Sequence, residues 1–321
     1  MSRSLLVFLV GLILVGFGFY LYSTDQISLV SPIPKVFGAS KQVSLPENTW
    51  FPKEIPIKKP YDLNLSANSA ILVNYDTNEI IFSKNMHGRQ PVASTVKIMT
   101  ALLALEANKL NDLYLVPESA TKIGEDSMLL KTAEKLTMRD ILYGLMLVSG
   151  NDAAATIGQN VSGNQDKFVN LMNDRAKQLG AKDTKYINPS GLDEDGKTQY
   201  SSAYDLAIIA HYLWENYPAI RDISSTYHYL IPASSDHQDY ELYNGTNLLT
   251  TYPGVRGIKP GFTWDAGWCL VTYVENNGKR FIGVVLGSQD RRGEMKEVLD
   301  YGYAYYGIKI SHPGLDLQAP I

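Results

Sequence analysis

The sequence predicts a mixed α/β fold, with one antiparallel sheet built from both ends of the folded region and a helical insertion between them. Three observations carry this. Two apolar runs flank a turn cluster early in the chain, and two more do so late. The long stretch between them has helical patterning. At 321 residues, 45% hydrophobic and 19% charged, the chain is large enough and apolar enough to build a sizeable core.

Taken in order, residues 69–83 read SAILVNYDTNEIIFS, with Asp76-Thr77-Asn78 as the turn between two strands. Residues 96–110 are rich in Ala, Leu, Met and Ile on all sides, which predicts a buried helix. Residues 138–148 form a second apolar helical stretch. Residues 168–179 and 203–214 are amphipathic, with Gly180 as a stop after the first. Late in the chain, 268–274 and 280–286 read as strands around Glu275-Asn276-Asn277-Gly278, and 295–305 closes as a helix.

The N-terminus stands apart. Residues 5–22 are an apolar run of 18 residues, about 27 Å as a helix, which is close to the hydrocarbon thickness of a bilayer. Arg3 precedes the run, so the expected orientation exports the bulk of the chain. No small-x-small pair lies just beyond the run, which favours an uncleaved anchor over residues 1–24. Pro32, Pro34, Pro46, Pro52, Pro56 and Pro60 then punctuate an expected extended linker, residues 25–61. The expected catalytic unit is 62–312, with a tail at 313–321.

Lys plus Arg total 29 against 33 for Asp plus Glu, a net charge of −4, and nothing suggests a nucleic-acid partner. Cys269 is the single cysteine and sits in an apolar run, so it reads as a small buried hydrophobe. His87, His211, His228, His237 and His312 lack metal-ligand spacing and read as surface or packing residues, so neither a metal nor another cofactor is expected.

The chemistry begins at Ser94-Thr95-Val96-Lys97. On a helix, residues i and i+3 share a face, so the amine reaches the hydroxyl. Serine needs a base to become a nucleophile, and lysine serves only where burial and neighbouring cations favour its neutral form. The S-x-x-K pattern is weak by itself, since Ser119-Ala120-Thr121-Lys122 also fits it. Ser94 opens an apolar helix, whereas Ser119 lies in the polar stretch SATKIGEDS. Ser149-Gly150-Asn151 follows the second apolar helix, and Lys259-Pro260-Gly261 precedes a strand. Both have chance copies, Ser162-Gly163-Asn164 and Lys122-Ile123-Gly124, but the ordered set S-x-x-K, S-x-N, K-x-G is far more specific.

The longer strings PVASTVKIMTALLALE, LMLVSGNDAA, INPSGLDEDG with YSSAYDLA, and GVRGIKPGFTWDAGWCLV resemble the D-alanyl-D-alanine carboxypeptidases, the low-molecular-mass penicillin-binding proteins, over about residues 69–288. The resemblance implies an antiparallel sheet with helices on both faces plus a mainly helical subdomain. It implies that Ser94 is acylated by stem peptides ending in D-Ala-D-Ala, that Lys97 takes its proton, and that Ser149 relays a proton to the leaving amine. Asn151 is implied to hold Lys97 and the substrate amide, and Lys259 to attract the terminal carboxylate. Gly261, Phe262 and Thr263 fall at the substrate-binding strand, with the N–H groups of Ser94 and Phe262 as oxyanion donors. β-Lactams are implied inhibitors, and the bacterial cell envelope is the implied location. Pro260 departs from the usual Thr or Ser, removing a hydroxyl and an N–H. That suits an edge strand and leaves Thr263 as a possible substitute hydroxyl. The chain ends soon after the closing helix, without the β domain and amphipathic tail of many relatives. A β-lactamase, a transpeptidase and a catalytically impaired penicillin-binding module are the alternatives, although no E-x-x-L-N-like string supports the first.

Overall fold

The computed structural model describes residues 47–56, 59–194, 196–197, 199–246 and 248–312. The apolar run at 5–22, most of the expected linker and the tail at 313–321 lie outside the described residues. No helix among the described residues is long and apolar enough to cross a membrane.

The two ends of the region meet in one antiparallel sheet, as the two predicted hairpins require. β1 (Ser69–Asn74) and β2 (Ile80–Lys84) form the early hairpin. Two short pairs lie between the early and late strands, β3–β4 (Leu113–Leu115, Lys135–Thr137) and β5–β6 (His228–Ile231, Tyr240–Tyr243). β7 (Val255–Thr263), β8 (Gly267–Asn276) and β9 (Lys279–Ser288) form the late meander. The strand order is β2-β1-β9-β8-β7, so β1 pairs with β9 from Ser69↔Leu286 to Asn74↔Phe281 and β7 is left at an edge. Alternation then divides the side chains between two cores. Ile71, Val73, Ile282 and Val284 face one core, while Ala70, Leu72, Phe281 and Val285 face the other.

Helices cover both faces. The closing helix (Arg291–Tyr305) lies on the second core, through Met295, Val298 and Leu299. It starts four residues earlier than the periodicity suggests, because Asp290 caps it by accepting from the Gly293 N–H at 2.9 Å. On the other face lie α1 (Lys97–Ala107) and the helix Ala203–Asn216. The expected helix at 96–110 is shorter than predicted. A 3₁₀ turn, Ala93–Val96, leads into it, and Asn108 leaves it with extended backbone.

The helical middle holds Met138–Leu147, Asn151–Ser162 and Gln165–Gln178. The second of these begins at Asn151, the last residue of the S-x-N motif, and has no expected counterpart in the sequence. Neither have the short helix Pro218–Ser225 and the hairpin β5–β6.

Residues 47–56 fall in the stretch expected to be linker, yet they lie against the domain. Trp50 stacks on His211 with centroids 4.0 Å apart, and its Nε1 donates to Tyr75 O at 3.0 Å. Tyr204 donates its hydroxyl to Pro52 O at 3.0 Å. The burial that accompanies this stacking pushes His211 down to about 4, so it is a neutral packing residue.

Candidate active site

The nucleophile turn is set up by backbone strain. Ala93 has φ +47°, an uncommon conformation for a residue with a Cβ. Val92 O holds the turn by accepting from the Thr95 N–H at 3.2 Å and the Thr95 hydroxyl at 2.6 Å. Ser94 then sits in the 3₁₀ turn and Lys97 in the first position of α1, so both reach the same point. Lys97 Nζ is 2.8 Å from Ser94 Oγ.

Lys97 is fully buried, and it also donates to Asn151 Oδ1 at 2.8 Å and to Ser190 O at 2.5 Å. A neutral amine has two protons and one lone pair. Asn151 and Ser190 accept the two protons, which leaves the lone pair for the Ser94 hydroxyl. The neutral form is favoured because burial holds the amine well below the usual lysine range, and the charge of Lys259 pushes the same way. Asp126, Glu125 and Asp152 oppose this more weakly.

Asn151 opens the helix after the second motif. Its Nδ2 donates to Gly124 O at 3.0 Å and its N–H to Asp126 O at 2.8 Å, so its Oδ1 is aimed at Lys97. Ser149 is held at φ +60°, and its buried Oγ makes no hydrogen bond with the protein. A hydroxyl in that state is available to a substrate atom.

Lys259 is buried on β7, and burial brings its amine down to about 7, with Arg291 adding to the effect and Asp126 opposing it. Gly261 explains the third motif. A Cβ there would stand 2.8 Å from Ser94 N and 3.1 Å from Ala93 Cβ, so only glycine lets β7 run beside the nucleophile's N–H. Pro260 is tolerated because β7 is an edge strand. Phe262 packs on Trp268, with centroids 4.3 Å apart. Thr263, the candidate substitute hydroxyl, is engaged within the protein. Its Oγ1 donates to Asp193 Oδ1 at 3.2 Å and accepts from the Ala266 N–H at 3.1 Å.

Sequence reasoning missed two groups of residues. Arg291 lines the same cavity as Lys259 and Pro260, donates from Nη1 to Gly261 O at 2.9 Å, and lies 4.4 Å from the Trp268 ring centre. It stands 30 residues beyond the third motif, so no local spacing points to it. The other group is the loop from Asn188 to Asp193, inside the INPSGLDEDG string. Asn188 Oδ1 accepts from Ser190 N and Oγ and from Gly191 N at 2.8–3.2 Å, which turns the Ser190 carbonyl onto Lys97. Thr100, one turn after Lys97, donates to Pro189 O at 2.6 Å.

The chance copies stay out of the site. Lys122 is exposed and paired with Glu118, while Gly124 serves only by its carbonyl. Cys269 is buried and its thiol is pushed up to about 11 by burial, so it is not a reactive thiolate. Among the described residues, no group of three His, Cys, Asp or Glu is arranged to hold a metal.

A half-buried serine against a fully buried lysine, a second buried lysine and a glycine-thinned edge strand make a site suited to acyl transfer through serine. Comparison with known proteins agrees. Residues 56–290 match the family model described as D-alanyl-D-alanine carboxypeptidase. The chain is 36% identical to D-alanyl-D-alanine carboxypeptidase DacF of Bacillus subtilis, over 78% of this chain and 65% of that protein's length. It is 31% identical to DacB2 of Mycobacterium tuberculosis, over 74% of this chain and 82% of that one. Among solved structures, D-alanyl-D-alanine carboxypeptidase DacD of Francisella tularensis superposes with TM-score 0.71 at 27% identity, covering 78% of this chain and 74% of that one. A variant of a Streptomyces DD-transpeptidase gives TM-score 0.71 at 26% identity, covering 76% of this chain and 100% of the other. The chain belongs to the D-alanyl-D-alanine carboxypeptidase family.

Proposed function

We propose that the protein is a serine-type D-Ala-D-Ala carboxypeptidase that trims peptidoglycan stem peptides through an acyl-enzyme on Ser94. The observation that carries this reading is the buried Lys97 amine, 2.8 Å from Ser94 Oγ, whose pKa is lowered by burial and by the charge of Lys259.

In this reading Lys97 takes the Ser94 proton as the hydroxyl attacks the carbonyl between the two D-alanines. The N–H groups of Ser94 and Phe262 stabilise the oxyanion, a contribution on the order of 3 kcal/mol per donor. Asn151 fixes Lys97 and the substrate amide, and Ser149 passes the proton to the departing amine. Lys259 and Arg291 hold the terminal carboxylate, so Arg291 supplies the contact that Pro260 lacks. Water then releases the shortened peptide. β-Lactams, which carry a strained amide in place of the scissile one, acylate Ser94 and remain attached.

The family is one of cell-envelope enzymes. The apolar run at 5–22 favours a membrane anchor with the catalytic unit outside, which fractionation of cells carrying the full chain, with and without residues 1–24, would test. For the activity, a pentapeptide ending in D-Ala-D-Ala should release D-alanine, and Ser94→Ala should abolish both that release and the penicillin adduct seen by intact mass. D-Alanine release persisting in Ser94→Ala would refute the assignment.

A further inference from the structure

The second motif is followed by an acid that the acylation steps above do not use. Asp152 comes directly after Asn151, in the first turn of the helix Asn151–Ser162, and it is buried. Four donors converge on its carboxylate. The Ser127 hydroxyl reaches Oδ2 at 2.7 Å and the Leu130 N–H reaches the same oxygen at 2.9 Å. The Met128 and Ala153 N–H groups both reach Oδ1 at 2.9 Å. Ala153 is the next residue of the helix, but the other three donors come from one loop.

That loop, residues 123–134, contains no helix or strand. Met128 and Leu130 are buried, so their N–H groups need an acceptor inside the protein, and Asp152 provides it. Ser127 extends the clamp, because its Oγ also accepts from the Leu129 N–H at 2.9 Å. On the exposed side, Gln238 donates from Nε2 to Leu129 O at 3.1 Å. Gly150 lets the loop come this close, since a Cβ there would stand 2.9 Å from Asp152 Oδ1 and 3.2 Å from Met128 N. The same loop supplies both carbonyls that hold Asn151. Gly124 O accepts from its Nδ2 at 3.0 Å, and Asp126 O accepts from its N–H at 2.8 Å. Both carbonyls lie within three residues of Ser127, so fixing the chain at 127–130 fixes them too.

We propose that Asp152 is a positioning residue for acylation: its carboxylate clamps the 123–134 loop, the loop fixes Asn151, and Asn151 aims the Lys97 amine at Ser94. This rests on the carboxypeptidase reading above, with Lys97 as the base. The effect is one of geometry. The charge of Asp152 pushes the Lys97 amine toward its protonated form, so removing that charge favours the neutral base. A slower variant therefore reports a lost position and not a lost charge. Asp152→Asn keeps the shape of the side chain. It has one oxygen in place of two and turns an NH₂ toward the remaining donors, so either Met128 or Leu130 loses the acceptor for its N–H.

The test is a double-mutant cycle on the rate of penicillin acylation, read by intact mass well below the Tm of each variant. Asp152→Asn should slow acylation about 10- to 100-fold. In an Asn151→Ala background the same change should cost no more than about twofold, because the residue it acts through is gone. A role in stability alone would lower Tm and let the two losses multiply. Ser127→Ala removes one bond from the clamp. It should slow acylation about threefold, again only while Asn151 is present, and it decides the question if Asp152→Asn does not fold. The inference is overturned if the clamp variant that folds acylates at the wild-type rate, if Asn151→Ala does so, or if the losses multiply; the carboxypeptidase reading then stands. If the wild-type protein yields neither D-alanine nor a penicillin adduct, that reading fails and takes the inference with it.

Discussion

Gly261→Ala is the sharpest probe of how the site is assembled. The new Cβ would stand 2.8 Å from Ser94 N and 3.2 Å from Thr95 N, whereas ordinary contact begins at 3.4 Å. The neighbours are backbone atoms of the nucleophile turn, so no flexible side chain can yield. Either β7 or the 93–96 turn must retreat by about 0.6 Å. A misplacement of about 1 Å at reacting groups costs on the order of 100-fold in rate, so acylation should slow by about 10- to 100-fold. Overpacking should also cost about 1–3 kcal/mol of stability, which at about 2–4 °C per kcal/mol for a domain of this size lowers Tm measurably. The assay pairs the second-order rate of penicillin acylation, read by intact mass, with Tm from a thermal scan. Wild-type acylation with an unchanged Tm would refute the claim that β7 runs hard against the Ser94 backbone.

Other perturbations act through the charges. Lys259→Met removes a cation that depresses Lys97, so the Lys97 pKa should rise and the acid limb of the acylation pH profile should move to higher pH; a limb that stays or moves down contradicts the coupling. The same variant should be more stable than wild type near neutral pH. The unfolded lysine keeps its proton up to about 10.5 and the folded one only up to about 7, so the unfolded state holds the extra proton across that window and wild-type stability rises with pH through it. Thermal scans at about pH 7 and pH 9 should show the gain shrinking at the higher value. Arg291→Leu should reduce kcat/KM about 10- to 100-fold for peptides with a free terminal carboxylate, mainly through KM, from the loss of a charged hydrogen bond; an amidated peptide should lose far less. Pro260→Thr restores a hydroxyl at the edge strand and should lower KM for the free-acid peptide by up to about tenfold, and a raised KM would count against a role for position 260 in holding the carboxylate.

The sequence by itself determined the parts that local chemistry encodes. The two turn clusters marked both hairpins, apolar periodicity marked the buried helices, and the order of three motifs separated Ser94 from Ser119 and Lys259 from Lys122. Edge placement of β7 was legible from Pro260, because a residue without an N–H fits a strand only where that position faces no second partner. Only the tertiary structure decided what depends on distant segments meeting. Ser190 O and Lys97 are 93 residues apart, and Arg291 and Gly261 are 30 apart, so no period or spacing links them. Thr263 looked free in the sequence, and only the fold brings Asp193 to its hydroxyl. Tyr75 and His211, which hold Trp50, come from distant parts of the chain, so a proline-rich stretch that reads as tether packs as part of the domain. The lowered Lys97 pKa is likewise a property of burial and of a cation 162 positions away, and neither exists until the chain has folded.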